Sequence, residues 1–284
     1  MSNTLPSVTM GHLLRTVRYE VMPTPKMGDQ VREQVPTEVT LTVTASPTKG
    51  LGPTLDLATS LAADGYDVVP HLAARMISGR SELSEIVDRL RAVGVRTVFV
   101  PAGDAAEPAG DYHGALDMLS DLTQLGQPFE HVGITGYPES HPSIDDDVTV
   151  QAMWDKRAHA THIVSNMTFD TESIATWVER LRRRGVGLPV IIGVPGPVER
   201  TKLLGMATKI GVGDSVRFLK KQRKVFARIA APGFSTDRFV ARIAALAANE
   251  KLRIQGLHLY TFNQVGVVEA WRQRMLAEAD SLAR

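Results

Sequence analysis

A single (β/α)8 barrel, the TIM-barrel form of the α/β class, is the fold this sequence predicts. Eight short apolar, β-branched runs recur at intervals of about 30 residues. Helix-length segments with 3.6-residue apolar spacing lie between most of them. A chain of 284 residues with 43% hydrophobic content can bury one large core of this kind.

The candidate strands cover 15–21, 38–44, 67–71, 96–100, 131–135, 161–165, 190–192 and 254–260. Leu83, Ile86, Val87 and Leu90 form an apolar helical stripe after the third run, and Met118, Leu119 and Leu122 form another after the fourth. Strand, helix, strand in this rhythm gives right-handed βαβ units and a parallel sheet. Eight such strands close most simply into a barrel. The stretch 194–253 is long enough for about three helices, including the apolar 239–248, and is expected to be an enlarged seventh crossover. Residues 1–14 are expected to form a loosely ordered arm, with 15–284 as one catalytic domain. No Pro/Gly/Ser-rich linker divides the chain.

Composition removes several chemistries. Without cysteine there is no thiol nucleophile, thiolate metal site or iron–sulfur cluster. A net charge of +1 argues against nucleic acid as a partner. The basic runs 180–184 and 220–224 are expected on solvated helix faces. No span of about 18 apolar residues and no secretory signal is present, so a cytoplasmic location and no membrane partner are expected. A homo-oligomer remains an open option.

In such a barrel, the C-terminal ends of the strands share one face, where chemistry is built. Those ends carry Glu20, Thr44, His71, Gly103 with Asp104, Tyr137 with Glu139 and His141, Asn166, and Thr261 after Tyr260. Glu20 lies between Tyr19 and Val21 in an otherwise apolar run, where an unpaired carboxylate is costly. Apolar surroundings bias a carboxyl toward its protonated form, which suits a general acid; the structural alternative is a carboxylate paired with an arginine. His71 has a plain core histidine as its alternative, and Asp104 a helix cap. Gly211-Val212-Gly213 lacks the third glycine of a dinucleotide fingerprint. His159 and His162 do not have convincing ligand spacing, and residues 145–147 read as a helix start, so no metal is predicted.

The ordered series resembles the methylenetetrahydrofolate reductase family over nearly the whole chain. The segments that carry the resemblance are Arg18-Tyr19-Glu20-Val21-Met22-Pro23, Val43-Thr44, Val69-Pro70-His71-Leu72, Gly103-Asp104, Tyr137-Pro138-Glu139 with His141-Pro142, and His258-Leu259-Tyr260-Thr261-Phe262-Asn263. The resemblance implies a folate-dependent oxidoreductase of one-carbon metabolism, supplying methyl groups for methionine synthesis and taking hydride from NADH or NADPH. It implies Glu20 as the acid that opens the imidazolidine ring and Asp104 as the pterin-recognising carboxylate. Asn166, in place of a glutamine, joins Thr44 and Tyr260 as a substrate contact. His71, Gly103, Tyr137, His141 and Lys156 fall at cofactor positions. Departures also count: Ala102 replaces an arginine that meets flavin phosphate, Leu203 and Ala207 replace a glutamine and a phenylalanine, and Gln264 replaces a basic residue. They imply a member that keeps folate chemistry and passes hydride directly, without FAD. The rivals are a flavin-dependent version of the same reaction, another barrel activity such as an aldolase, for which no strand-end lysine is present to form a Schiff base, and a non-catalytic folate-binding or regulatory barrel.

Overall fold

The computed structural model describes residues 4–141, 144–197 and 234–283. Eight strands alternate with helices: β1 Arg18–Val21, β2 Thr40–Val43, β3 Val68–Pro70, β4 Thr97–Val100, β5 His131–Gly136, β6 His162–Met167, β7 Val190–Pro195 and β8 Ile254–Tyr260. Every pairing is parallel, in the order β3-β2-β1-β8-β7-β6-β5-β4. A parallel bridge between His71 and Phe99 brings the two ends together, so the sheet is a nearly closed (β/α)8 barrel. All eight expected strands are present, most of them trimmed at their N-terminal edges.

The described helices are α1 Thr4–Arg15, α2 Met27–Gln34, α3 Gly52–Ala63, α4 Arg80–Ala92, α5 Ala115–Gln124, α6 Asp146–Lys156, α7 Thr171–Arg183, α8 Thr236–Ala247 and α9 Val265–Leu282. Their apolar stripes are buried against the outside of the barrel: Leu83, Ile86, Val87 and Leu90 on α4, and Ile174, Trp177, Val178 and Leu181 on α7. Each such side chain contributes about 1.5–3 kcal/mol relative to exposure. Within the barrel, Val69, Phe99, Val164 and Ile191 form a second, smaller cluster beneath the mouth. Strands covered on both faces read as continuous apolar runs, which is why the sequence signal was strong.

Three expectations are corrected. Residues 4–15 are not a loose arm: they form α1, which buries Met10, Leu13 and Leu14 and packs on α8 and α9. Residues 145–147 do start a helix, as expected, but without the cap: Asp145 precedes α6 and makes no side-chain cap bond, whereas Asp146 and Asp147 occupy the first turn and pair with Arg180 of α7. β7 runs on to Pro195 rather than stopping at 192. Of the enlarged seventh crossover, α8 lies within the described residues; Leu203, Ala207, the Gly211-Val212-Gly213 turn, the basic run 220–224 and Pro142 lie outside them. No described helix is long and apolar enough to cross a membrane.

Candidate active site

Strand alternation turns Tyr19 and Val21 outward into the main core and leaves Glu20 on the opposite, inner face of β1. Glu20 is in register with Thr42 of β2 and Tyr260 of β8. Its Oε2 lies 3.0 Å from His258 Nε2, with the Glu20 and His258 side chains 17% and 3% exposed. The carboxylate that looked costly in the sequence is therefore paired, with a histidine rather than an arginine. His258 was visible only as the first letter of the closing motif. Its signal was position: it stands two residues before Tyr260 on an alternating strand and shares its inner face.

The rest of that motif locks the β8–β1 seam. Thr261 Oγ1 donates to the Glu20 carbonyl at 2.5 Å and accepts from the Asn263 N–H at 3.1 Å. Asn263 Oδ1 accepts from the Met22 N–H at 2.8 Å, and its Nδ2 donates to the Met22 carbonyl at 3.1 Å. Phe262 and Asn263 both take positive φ, 50° and 60°, which aims the amide back across the seam.

His71 closes the cluster from β3. It is buried, sits edge-on to Phe99 with ring centroids 4.7 Å apart, and lies 6.4 Å from the His258 ring. Burial pushes its imidazole down to about 4, with Glu20 opposing and His258 assisting the shift, so the ring is neutral. Tyr260 packs edge-on to His258 at 5.0 Å. Its phenol is held well above the usual range by burial first, then by Glu20 and Tyr137, against a hydrogen bond with the Met167 backbone. Tyr137 stands edge-on to His141 at 4.8 Å; burial and, more weakly, Asp104 raise its phenol, opposed by a hydrogen bond with Thr135. Asn166 is half-buried at the end of β6, with Oδ1 buried and lacking a partner.

Asp104 is exposed on the loop after β4. Gly103 has φ of +93°, and a Cβ there would come within 3.0 Å of the Ala73 Cβ, so a left-handed glycine is needed where this loop crosses the one after β3. Arg75 stitches the two loops together: Nε donates to the Ala105 carbonyl at 2.9 Å, and its terminal nitrogens to the Ala106 and His113 carbonyls at 2.6 and 3.1 Å. Thr44 is half-buried just past β2, its N–H donating to the Val21 carbonyl at 3.0 Å. Lys156 ends α6, half-buried, its ammonium lowered by burial against the pull of Asp155. It has no hydrogen bond or ion pair to the cluster among the described residues.

Glu139 ties two segments of the rim together. Its Oε1 accepts from Thr168 Oγ1 at 2.8 Å and from the Phe169 and Asp170 N–H groups at 2.5 and 3.0 Å, tying the turn after β5 to the start of α7. His162 lies lower in the barrel, where Nε2 accepts from Arg18 at 2.9 Å and burial, then Arg18 and His131, push the imidazole to about 3. Among the described residues no cluster of His, Asp or Glu has the make-up of a metal site.

The methylenetetrahydrofolate reductase family model matches residues 25–274, beginning just beyond β1 and Glu20. "Methylenetetrahydrofolate reductase 2" of Saccharomyces cerevisiae is 23% identical over 150 residues, covering 49% of this chain and 25% of the yeast protein. "Probable methylenetetrahydrofolate reductase (NADPH)" of Caenorhabditis elegans is 24% identical over 221 residues, covering 72% of this chain and 31% of the nematode protein. The chain thus spans between a quarter and a third of the length of these two relatives. In structure it is similar to an oxaloacetate acetylhydrolase, with a TM-score of 0.53 at 11% identity over 97% of this chain and 86% of that one, a likeness of fold alone. With the family model covering most of its length, the chain belongs to the methylenetetrahydrofolate reductase family.

Proposed function

We propose that this chain reduces 5,10-methylenetetrahydrofolate to 5-methyltetrahydrofolate, taking hydride from NADH or NADPH and one proton from solvent, without a flavin between them. Beyond family membership, one observation carries the assignment: a carboxyl group, Glu20, is fixed at the barrel mouth by one oxygen while the other takes no hydrogen bond among the described residues. Hydride can reach the one-carbon unit only after the five-membered ring opens to an iminium, and opening needs a proton on the bridging amine. Glu20 delivers that proton, and solvent returns it before the next turnover. Reduced nicotinamide supplies the hydride.

The remaining mouth residues orient the substrates. Asp104 accepts N–H bonds from the pterin edge, and Asn166 Oδ1 gains there the donor it lacks. Thr44 and Tyr260 flank the folate, whereas His71, Gly103, Tyr137 and His141 are assigned to the nicotinamide side; Lys156, expected there from the resemblance, ends α6 away from the mouth and is given no part. Holding donor and acceptor face to face is worth up to roughly 7–11 kcal/mol in orientation.

The same lining suits a flavin dinucleotide poorly. Its pyrophosphate needs cations or several free N–H groups, but Ala102 stands at the arginine position and the loop beyond carries Asp104, Glu107 and Asp111. Arg75, the cation that enters this loop, has its Nε and both terminal nitrogens engaged by carbonyls. Lys156 is half-buried at the far end of α6.

Anaerobic incubation of the purified chain with methylenetetrahydrofolate and NADH or NADPH, followed by product identification, tests the activity. No methyltetrahydrofolate with either donor, with or without added flavin, overturns it. Intersecting initial-rate lines and a colourless active protein are expected for direct transfer. Stoichiometric bound flavin with parallel lines overturns that part alone.

A further inference from the structure

Resting on the reductase activity just assigned, we propose that His258 is the positioning residue for Glu20: neutral and protonated on Nε2, it occupies Oε2 permanently and thereby assigns the transferable proton to Oε1. Three proton placements are open to the pair. Protonating Nδ1 alone, or both nitrogens, would leave an N–H in a buried spot where Nδ1 has no partner, and the second would bury a charge as well. A bare Nδ1 lone pair is the cheapest state, and it makes Nε2 the donor to Oε2 at 3.0 Å. That bond forms to the carboxylate and, more weakly, to the carbonyl oxygen of the protonated acid, so the histidine can hold Oε2 both before and after Glu20 gives up its proton.

The two oxygens of Glu20 are thereby distinguished. Oε1 has no hydrogen bond among the described residues and is not among the buried unpartnered atoms, so solvent reaches it. Other groups facing the pair do not compete for it. The buried Nε2 of neutral His71, just past β3, makes no hydrogen bond to it; the Tyr260 hydroxyl is turned to the Met167 backbone; the Thr42 hydroxyl donates to the Tyr19 carbonyl at 3.4 Å; and Arg18, two residues down β1, is engaged by His162.

The test compares His258→Gln, whose side-chain amide can offer an N–H near the Nε2 position, with His258→Leu, which offers none. Leu is expected to lower kcat by about 10-fold to 100-fold, a part of what an acid catalyst contributes, with KM for methylenetetrahydrofolate within about 2-fold. Gln is expected to recover most of that loss and keep the wild-type pH profile. In a Glu20→Gln background the Leu change should cost little more, since the two act as one unit. A Gln variant as poor as Leu, or one that loses a limb of the pH profile, would mean His258 relays a proton, and wild-type turnover in Leu would mean it does nothing for Glu20; each overturns the proposal. Nitrogen-15 NMR of histidine-labelled free protein gives a reading independent of activity. A neutral Nε2–H tautomer of His258 is expected, and an imidazolium or Nδ1–H tautomer overturns the assignment even if the chain proves not to be a reductase.

Discussion

The two sides of the barrel mouth are built on opposite principles. At the β8–β1 seam, side chains bond to the backbone and to each other around Glu20: Thr261 holds its carbonyl, Asn263 clamps both polar groups of Met22, and His258 takes one carboxylate oxygen. At the loop after β4, Asp104 is exposed, and the stitching by Arg75 runs to the neighbouring loop rather than to the acid's side of the mouth. A proton must be delivered at one atom within a few tenths of an ångström, which rewards a seam fixed before substrate arrives. A ligand edge can be met by an exposed carboxylate on a loop. Changes at the seam should therefore act on turnover, and changes in the loop on affinity.

Glu20→Gln should break the seam's chemistry with the largest effect of all, lowering kcat by about 100-fold to 10,000-fold while the thermal midpoint stays within a few degrees. Near-normal turnover in a folded Gln variant would remove Glu20 from the mechanism. Asn263→Ala comes next. It orphans the Met22 N–H and carbonyl and places alanine at a φ of 60°, for a stability loss of about 2 kcal/mol and a fall in the thermal midpoint of several degrees. Turnover should drop by about 10-fold, because the strand that carries Glu20 loses its clamp. A thermal melt together with kcat checks both, and an Asn263→Ala protein that melts and turns over like wild type would show that the seam is not what holds the acid.

The same contrast governs what could be read from the sequence. Strands covered on both faces announce themselves as apolar runs, and all eight did. β7 was cut short because Gly193 interrupts its run, yet the glycine is there for packing: a Cβ would come within 2.5 Å of the Ser165 carbonyl oxygen. α1 was missed although Met10, Leu13 and Leu14 already have helical spacing, because few charges mark its outer face. Glu20 was legible, since a lone acid in an apolar strand needs a reason. His258 was not, because a partner 238 residues away depends on which strands are neighbours, which local pattern does not specify. The part played by Glu139 was hidden for the same reason: the three donors to its Oε1 come from the start of α7, about 30 residues on, which no local pattern specifies.

On the loop side, Asp104→Asn should exchange a charge-assisted bond to the pterin for a neutral one. The loss is about 1.4 kcal/mol, or roughly 10-fold in folate Kd, with kcat within about 2-fold and no change in thermal midpoint. Titration calorimetry with tetrahydrofolate separates this from folding. Unaltered affinity would make Asp104 a loop residue without a ligand role.

The smallest effect should come from Gly103→Ala, and it sharpens the contrast most. At φ of +93° any Cβ is strained, and this one would press on the Ala73 Cβ at 3.0 Å, so the loop must shift by a few tenths of an ångström. The strain costs about 1 kcal/mol, or a few degrees of thermal midpoint. Glu20, His258 and Asn263 are untouched by that shift, whereas Asp104 is the very next residue and moves with it. KM for methylenetetrahydrofolate should therefore rise about 3-fold to 5-fold while kcat holds, since a displaced carboxylate loses part of a bond made in ground and transition states alike. If kcat falls instead and KM does not, the loop after β4 helps to place the reacting atoms, and the division between a preformed acid seam and an adaptable binding loop fails.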